Sequence, residues 1–143
     1  MASKDVNKLN IVFILSDDQG AWAMGCAGNK EIITPNIDSL AEQGLRFSNF
    51  FCTSPVCSPA RASILTGRIP SQHGIHDWLR GGNVDKSKLD ESLQQSGIFQ
   101  HESKPIEYLK DFKTYPQILS ENGYTCALSG KWHLGDSVRP QQG

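Results

Sequence analysis

The chain has no long apolar run. Its longest, Ile11-Val12-Phe13-Ile14-Leu15, is too short for a membrane-spanning helix and too short for the core of a signal peptide. As written, the chain is therefore expected in the cytoplasm, or in the periplasm or outside the cell if a leader has been removed. Charge of one sign is also missing: 14 basic residues face 15 acidic ones, for a net charge of -1. With no basic stripe, a nucleic-acid partner is not expected, and an anionic ligand would have to be held by local groups. Cysteine is sparse. Cys26, Cys52, Cys57 and Cys126 do not amount to a disulfide framework and read as reduced thiols. No internal repeat or low-complexity tract is present. What remains, 143 residues with 38% apolar and 20% charged content, fits one ordinary domain with a real core.

Within that length, strand-like and helix-like segments alternate. Asn10 to Ser16 is β-branched and apolar and stops at Asp17-Asp18, which predicts a strand buried on both faces. Thr34-Pro35 predicts a helix start, with Ile37, Leu40 and Ala41 on its apolar face and Gly44 at its end. Leu45 to Cys52 is aromatic-rich and reads as extended. A second helix is expected with Ser58 as its cap, Pro59 at its start and Gly67 at its end. Residues 80–113, rich in Gly, Ser, Asp and Lys, read as a surface excursion. Thr114 to Asn122 predicts a short helix and Tyr124 to Ser129 a further strand. The alternation points to an α/β layered sheet, whose ligand edge lies beyond the strand ends.

Three polar clusters sit at such places. Asp17-Asp18 at a strand end is a turn signal by itself, although paired carboxylates also suit a hard cation. Cys57-Ser58-Pro59-Ala60-Arg61 opens a helix, where the dipole attracts anions and acidifies a thiol. Arg61, one turn in, adds a forked cationic donor. Lys131 and His133 follow the last predicted strand. Taken alone, Cys57 is no more than a cysteine before a helix cap, and Lys131 and His133 no more than a surface lysine and a core histidine.

Cys57, Pro59 and Arg61, followed by Ala62-Ser63, Thr66-Gly67 and Arg68, resemble the signature of the formylglycine-dependent sulfatases. Asn10 through Gly20 resembles that family's first strand, and Gly123 through Gly135 its second signature, with Cys126 where the family usually has Ser or Thr. The resemblance implies an alkaline-phosphatase-like α/β/α sheet, with residues 1–143 its N-terminal part. It implies that Cys57 is converted by a formylglycine-generating or sulfatase-maturing enzyme. One hydroxyl of the hydrated aldehyde would attack sulfur, leaving a covalent sulfo-enzyme, and the other would release sulfate. Calcium would be held by Asp17, Asp18 and the modified Cys57. Lys131 would face the sulfate, Arg61 would hold residue 57, and His133 would assist proton removal. The substrate would be a sulfated small molecule or carbohydrate, with no nucleic-acid or membrane partner. A later Asp-Asn pair, a second histidine and a second lysine complete the family's site, so the 143-residue chain alone is expected to be inactive.

Other readings stand beside this one. Phosphonate and phosphate monoester hydrolases share the implied fold, and a non-catalytic truncated relative would carry the same motifs. Cys52, Cys57, His73 and His76 match a zinc-finger-like spacing only superficially, since Pro59 and Gly67 interrupt the interval. His73 is read as structural, and Trp22 and Trp78 as packing residues.

Overall fold

A computed structural model describes residues 8–79, 91 and 107–135. The chain divides into two compact units, Met1–Asn49 and Phe50–Gly143.

In the first unit a 3-10 turn at Gly25–Ala27 packs with helix α1, Pro35–Gln43. Helix α1 begins at the expected proline and ends at Gly44, whose N–H donates to Leu40 O at 3.0 Å. Thr34 does not cap it with its side chain. Its Oγ1 instead accepts from Gly25 N at 2.8 Å and donates to Asp38 Oδ1 at 3.0 Å. The same Asp38 oxygen accepts from Cys26 N at 2.6 Å. Asp38 thus ties the turn to the helix, and a side chain at Gly25 would run into its carboxylate.

The predicted strand over Asn10 to Ser16 is not formed, nor are those over Leu45 to Cys52 and Tyr124 to Ser129; no strand occurs among the described residues. Val12 and Ile14 are 83% and 82% exposed, the reverse of the burial expected. The physical reason is that a strand, unlike a helix, takes its hydrogen bonds from another segment. The described residues contain a single isolated antiparallel bridge, Glu107 with Gly135. Apolar patterning supplies the propensity for a ladder but not the ladder.

The second unit holds α2, Cys57–Thr66; α3, Pro70–His73; and α4, Tyr115–Glu121. Helix α2 starts at Cys57, two residues before the expected proline, with Val56 extended ahead of it. Pro59 is tolerated there because the first-turn amides have no intrahelical acceptor in any case. Ser58 is not the cap; it is fully buried. Gly67, with φ 67°, ends the helix and donates to Ser63 O at 2.8 Å. Helix α4 matches the expected segment, and Gln117 Oε1 accepts from the amide of Thr114 just ahead of it at 2.9 Å.

Ala62, Ile75, Leu109 and Leu134 form the core of this unit, flanked by Leu65, Leu79, Tyr108, Phe112 and Trp132. Within the stretch 80–113, expected as a surface excursion, Leu109 is buried. Tyr108 and Phe112 pack against the same core while Lys110, Asp111 and Lys113 stay exposed, and Arg68 lies 5.6 Å from the Phe112 ring centre. The polar composition of the whole stretch hid the apolar pair Leu109 and Phe112 at i, i+3. Residues 80–90 and 92–106 of that stretch lie outside the described residues. No helix among the described residues is long and apolar enough to cross a membrane.

Candidate active site

Asp17 and Asp18 lie in the first unit; Cys57, Arg61, Lys131 and His133 lie in the second. Both aspartates are exposed. Asp18 has φ 57°, a left-handed conformation that aspartate tolerates better than most residues because its short side chain bonds locally. Their carboxylates are hard oxygen donors of the kind calcium takes, although fewer than its usual six to eight. A thiol at Cys57 is a soft donor and suits calcium poorly; an oxygen-bearing group at the same position would suit it.

Cys57 is half-buried in the first turn of α2, at the positive end of its dipole. One turn on, Arg61 Nη1 donates to the carbonyl oxygen of Lys131 at 2.7 Å. This bond brings together two of the sequence motifs, one on α2 and one in the segment Gly130 to Gly135. The Lys131 side chain stands at the surface.

His133 is the other non-glycine residue among those described with positive φ, 60°. Such a backbone costs roughly 1–2 kcal/mol in a residue of this type, so its surroundings must hold it. Leu134 beside it is fully buried. The His133 ring stands edge-on to Trp78, with centres 5.4 Å apart. Its Nε2 lies 2.9 Å from Leu79 O. A carbonyl only accepts, so Nε2 carries the hydrogen and Nδ1 is a bare lone pair in the neutral ring. Nδ1 is buried with no hydrogen-bond partner among the described residues.

His73 is committed differently. Its Nδ1 accepts from Ile75 N at 3.2 Å, which leaves Nε2–H to donate to Ser63 Oγ at 3.0 Å. Burial and then the charge of His76 hold it below the ordinary histidine value. With both nitrogens engaged, His73 is neither a base for Ser63 nor a zinc ligand. Cys52, Cys57, His73 and His76 do not gather their donor atoms, and none of the four cysteines forms a disulfide. A cleft of about 540 Å³ lies elsewhere in this unit, lined by Lys110, Lys113, Pro116, Gln117, Glu121 and Cys126 among others; Cys57, Arg61, Lys131 and His133 do not line it.

The sulfatase family model matches residues 9–143. The chain belongs to the sulfatase family. Among curated relatives, human steryl-sulfatase is 36% identical over 94% of this chain and 21% of its own length. Human arylsulfatase A is 37% identical over 88% of the chain and 21% of its own length. Human N-acetylgalactosamine-6-sulfatase is 35% identical over 92% of the chain and 22% of its own length. This sulfatase chain thus spans about a fifth of the length of the relatives it matches. No solved structure matches it. Sulfatase membership implies an alkaline-phosphatase-like α/β fold. Of that fold, the described residues form helices. Cys126, the departure from the family pattern, is exposed and its thiol donates weakly to Pro116 O at 3.5 Å.

The sequence reading missed Ser58 and Leu79 as parts of this site. Ser58 stands inside the motif but was read as a cap. Leu79 acts through its peptide group, which leaves no signal in side-chain identity.

Proposed function

We propose that the protein containing this chain hydrolyses a sulfate monoester through a formylglycine made from Cys57. The observation that carries the reading is the Cys57-to-Arg61 run opening α2, with Arg61 bonded to the backbone of Lys131 in the second signature. The hydrated aldehyde would supply a nucleophilic hydroxyl at the dipole-positive start of the helix, where charge on an attacking oxygen is favoured. Arg61 ties α2 to the Lys131 backbone, and its fork carries further donors that could serve residue 57 one turn earlier. Lys131 offsets charge on the sulfate oxygens. His133 takes a proton at its unprotonated nitrogen as sulfate is released.

Asp17 and Asp18, with an oxygen of the modified Cys57, would hold calcium, which supplies Lewis-acid stabilisation of the sulfate oxygens. The layered α/β/α sheet would be built with residues beyond those described. The relatives named above act, by their names, on steryl, aryl and N-acetylgalactosamine 6-sulfates. A sulfated small molecule or carbohydrate is the corresponding substrate class, and a formylglycine-generating or sulfatase-maturing enzyme the corresponding partner.

The test is the mass of the tryptic peptide Phe47 to Arg61, isolated from a host with the maturation machinery, together with turnover of matched sulfate and phosphate esters by the whole protein. An aldehyde at position 57 and preference for the sulfate ester are expected. An intact thiol, or faster cleavage of the phosphate, would overturn the reading.

A further inference from the structure

Ser58 and His133 lie far apart in sequence yet are joined through the backbone of one residue, Leu79. The Leu79 amide donates to Ser58 Oγ at 3.2 Å, and the Leu79 carbonyl accepts from His133 Nε2 at 2.9 Å. Ser58 is fully buried beside Cys57 on the first turn of α2. The arrangement leaves little freedom. The Ser58 hydroxyl oxygen fixes the amide of Leu79, the carbonyl of the same residue points at Nε2, and a carbonyl can only accept.

We propose that Ser58 is a positioning residue that locks His133 in the Nε2–H tautomer through the Leu79 backbone, leaving Nδ1 as the ring's one proton-accepting atom. Three features converge on this assignment. Nε2 is spent on a structural bond. Nδ1 is buried without a partner among the described residues. The strained φ of 60° at His133 is held by packing that includes the edge of Trp78 and the buried Leu134. A histidine serving only the core would be expected to satisfy both nitrogens, as His73 does with Ile75 N and Ser63 Oγ. What Nδ1 is for rests on the sulfatase reading; the tautomer and its dependence on Ser58 do not.

Histidine 15N–1H correlation spectra report which ring nitrogen carries the hydrogen without any turnover. In the unaltered protein His133 is expected as a single Nε2–H tautomer. In Ser58→Ala it is expected to become an exchanging mixture, while His73 keeps its own Nε2–H signature as a control for folding. Ser58→Cys, which keeps an acceptor atom at the same branch, is expected to hold His133 closer to the unaltered state than Ala does. An Nδ1–H or exchanging His133 in the unaltered protein overturns the proposal. So does a His133 signature unmoved by Ser58→Ala. If Ser58→Ala loses the His73 control as well, Ser58→Cys decides: a folded Cys variant whose His133 keeps Nε2–H as its major form but moves partway toward exchange, as the weaker sulfur acceptor requires, supports the lock, and a folded Cys variant whose His133 signature is identical to that of the unaltered protein overturns it. Failure of Cys57 to become an aldehyde would sink the sulfatase reading and leave these outcomes unaffected.

Discussion

Arg61 Nη1 and the carbonyl oxygen of Lys131 meet at 2.7 Å across 70 positions of sequence. A guanidinium can do this and still present further donors, because its fork is planar and carries five N–H groups. The bond therefore holds the start of α2 against the second signature without using up the side chain. A lysine at position 61 would have a single flexible ammonium to spend.

Arg61→Lys is accordingly expected to cost about 1 kcal/mol in stability, since the bond is partly solvent-exposed. Turnover of a sulfate ester by the whole protein should fall on the order of 100-fold. Urea midpoints and kcat measured side by side check this. Unchanged kcat would remove Arg61 from the reaction.

His73 makes stability pH-dependent. Its folded value lies below the ordinary 6.5, through burial first and His76 second. The unfolded chain therefore binds a proton at higher pH than the folded chain does. The contribution is fully present above about pH 6.5 and is lost as pH falls through the lowered folded value. Protonation would also set an Nδ1–H against the Ile75 N–H. Denaturation of the unaltered protein and of His73→Gln at pH 7.5 and pH 5 should show a steeper loss in the former. Parallel pH profiles would contradict the burial of a neutral His73.

Leu134 is completely buried and Ile33 is 90% exposed. Leu134→Ala should cost about 2–5 kcal/mol, whereas Ile33→Ala should stay within about 0.5 kcal/mol. Thermal or urea unfolding distinguishes them. Equal effects would mean the core around Ala62, Ile75 and Leu109 is not the one described.

Asp18 stands at φ 57°. Asn should accept that backbone with little loss of stability, while Val should cost roughly 1–2 kcal/mol or more. Both substitutions should abolish any stabilisation by added calcium, since both remove a carboxylate. Thermal shifts with and without calcium provide the readout. A calcium shift retained in Asp18→Asn would exclude Asp18 as a ligand.

Helix boundaries were largely legible because they depend on neighbours within a turn. Pro35 and Gly44 bracket α1, Gly67 ends α2, and Thr114 precedes α4. The start of α2 was misplaced by two residues because a proline in the third helical position looks, in sequence, like one in the first. The burial of Leu109 was missed because its charged neighbours, Lys110 and Asp111, dominate the local pattern.

Sequence by itself determined the chemistry-bearing runs and the family, because those are matters of residue identity at fixed spacing. Tertiary structure alone decided what each group does with its lone pairs and hydrogens. His73 closes on Ser63 and Ile75; His133 is bound at one nitrogen by the Leu79 carbonyl; Ser58 holds the amide of the same residue. It also decided that Ile11 to Leu15 lie exposed among the described residues. Identity sets what a side chain can donate or accept, but partners distant in sequence meet only when the chain folds, and a strand exists only where a second segment supplies its hydrogen bonds.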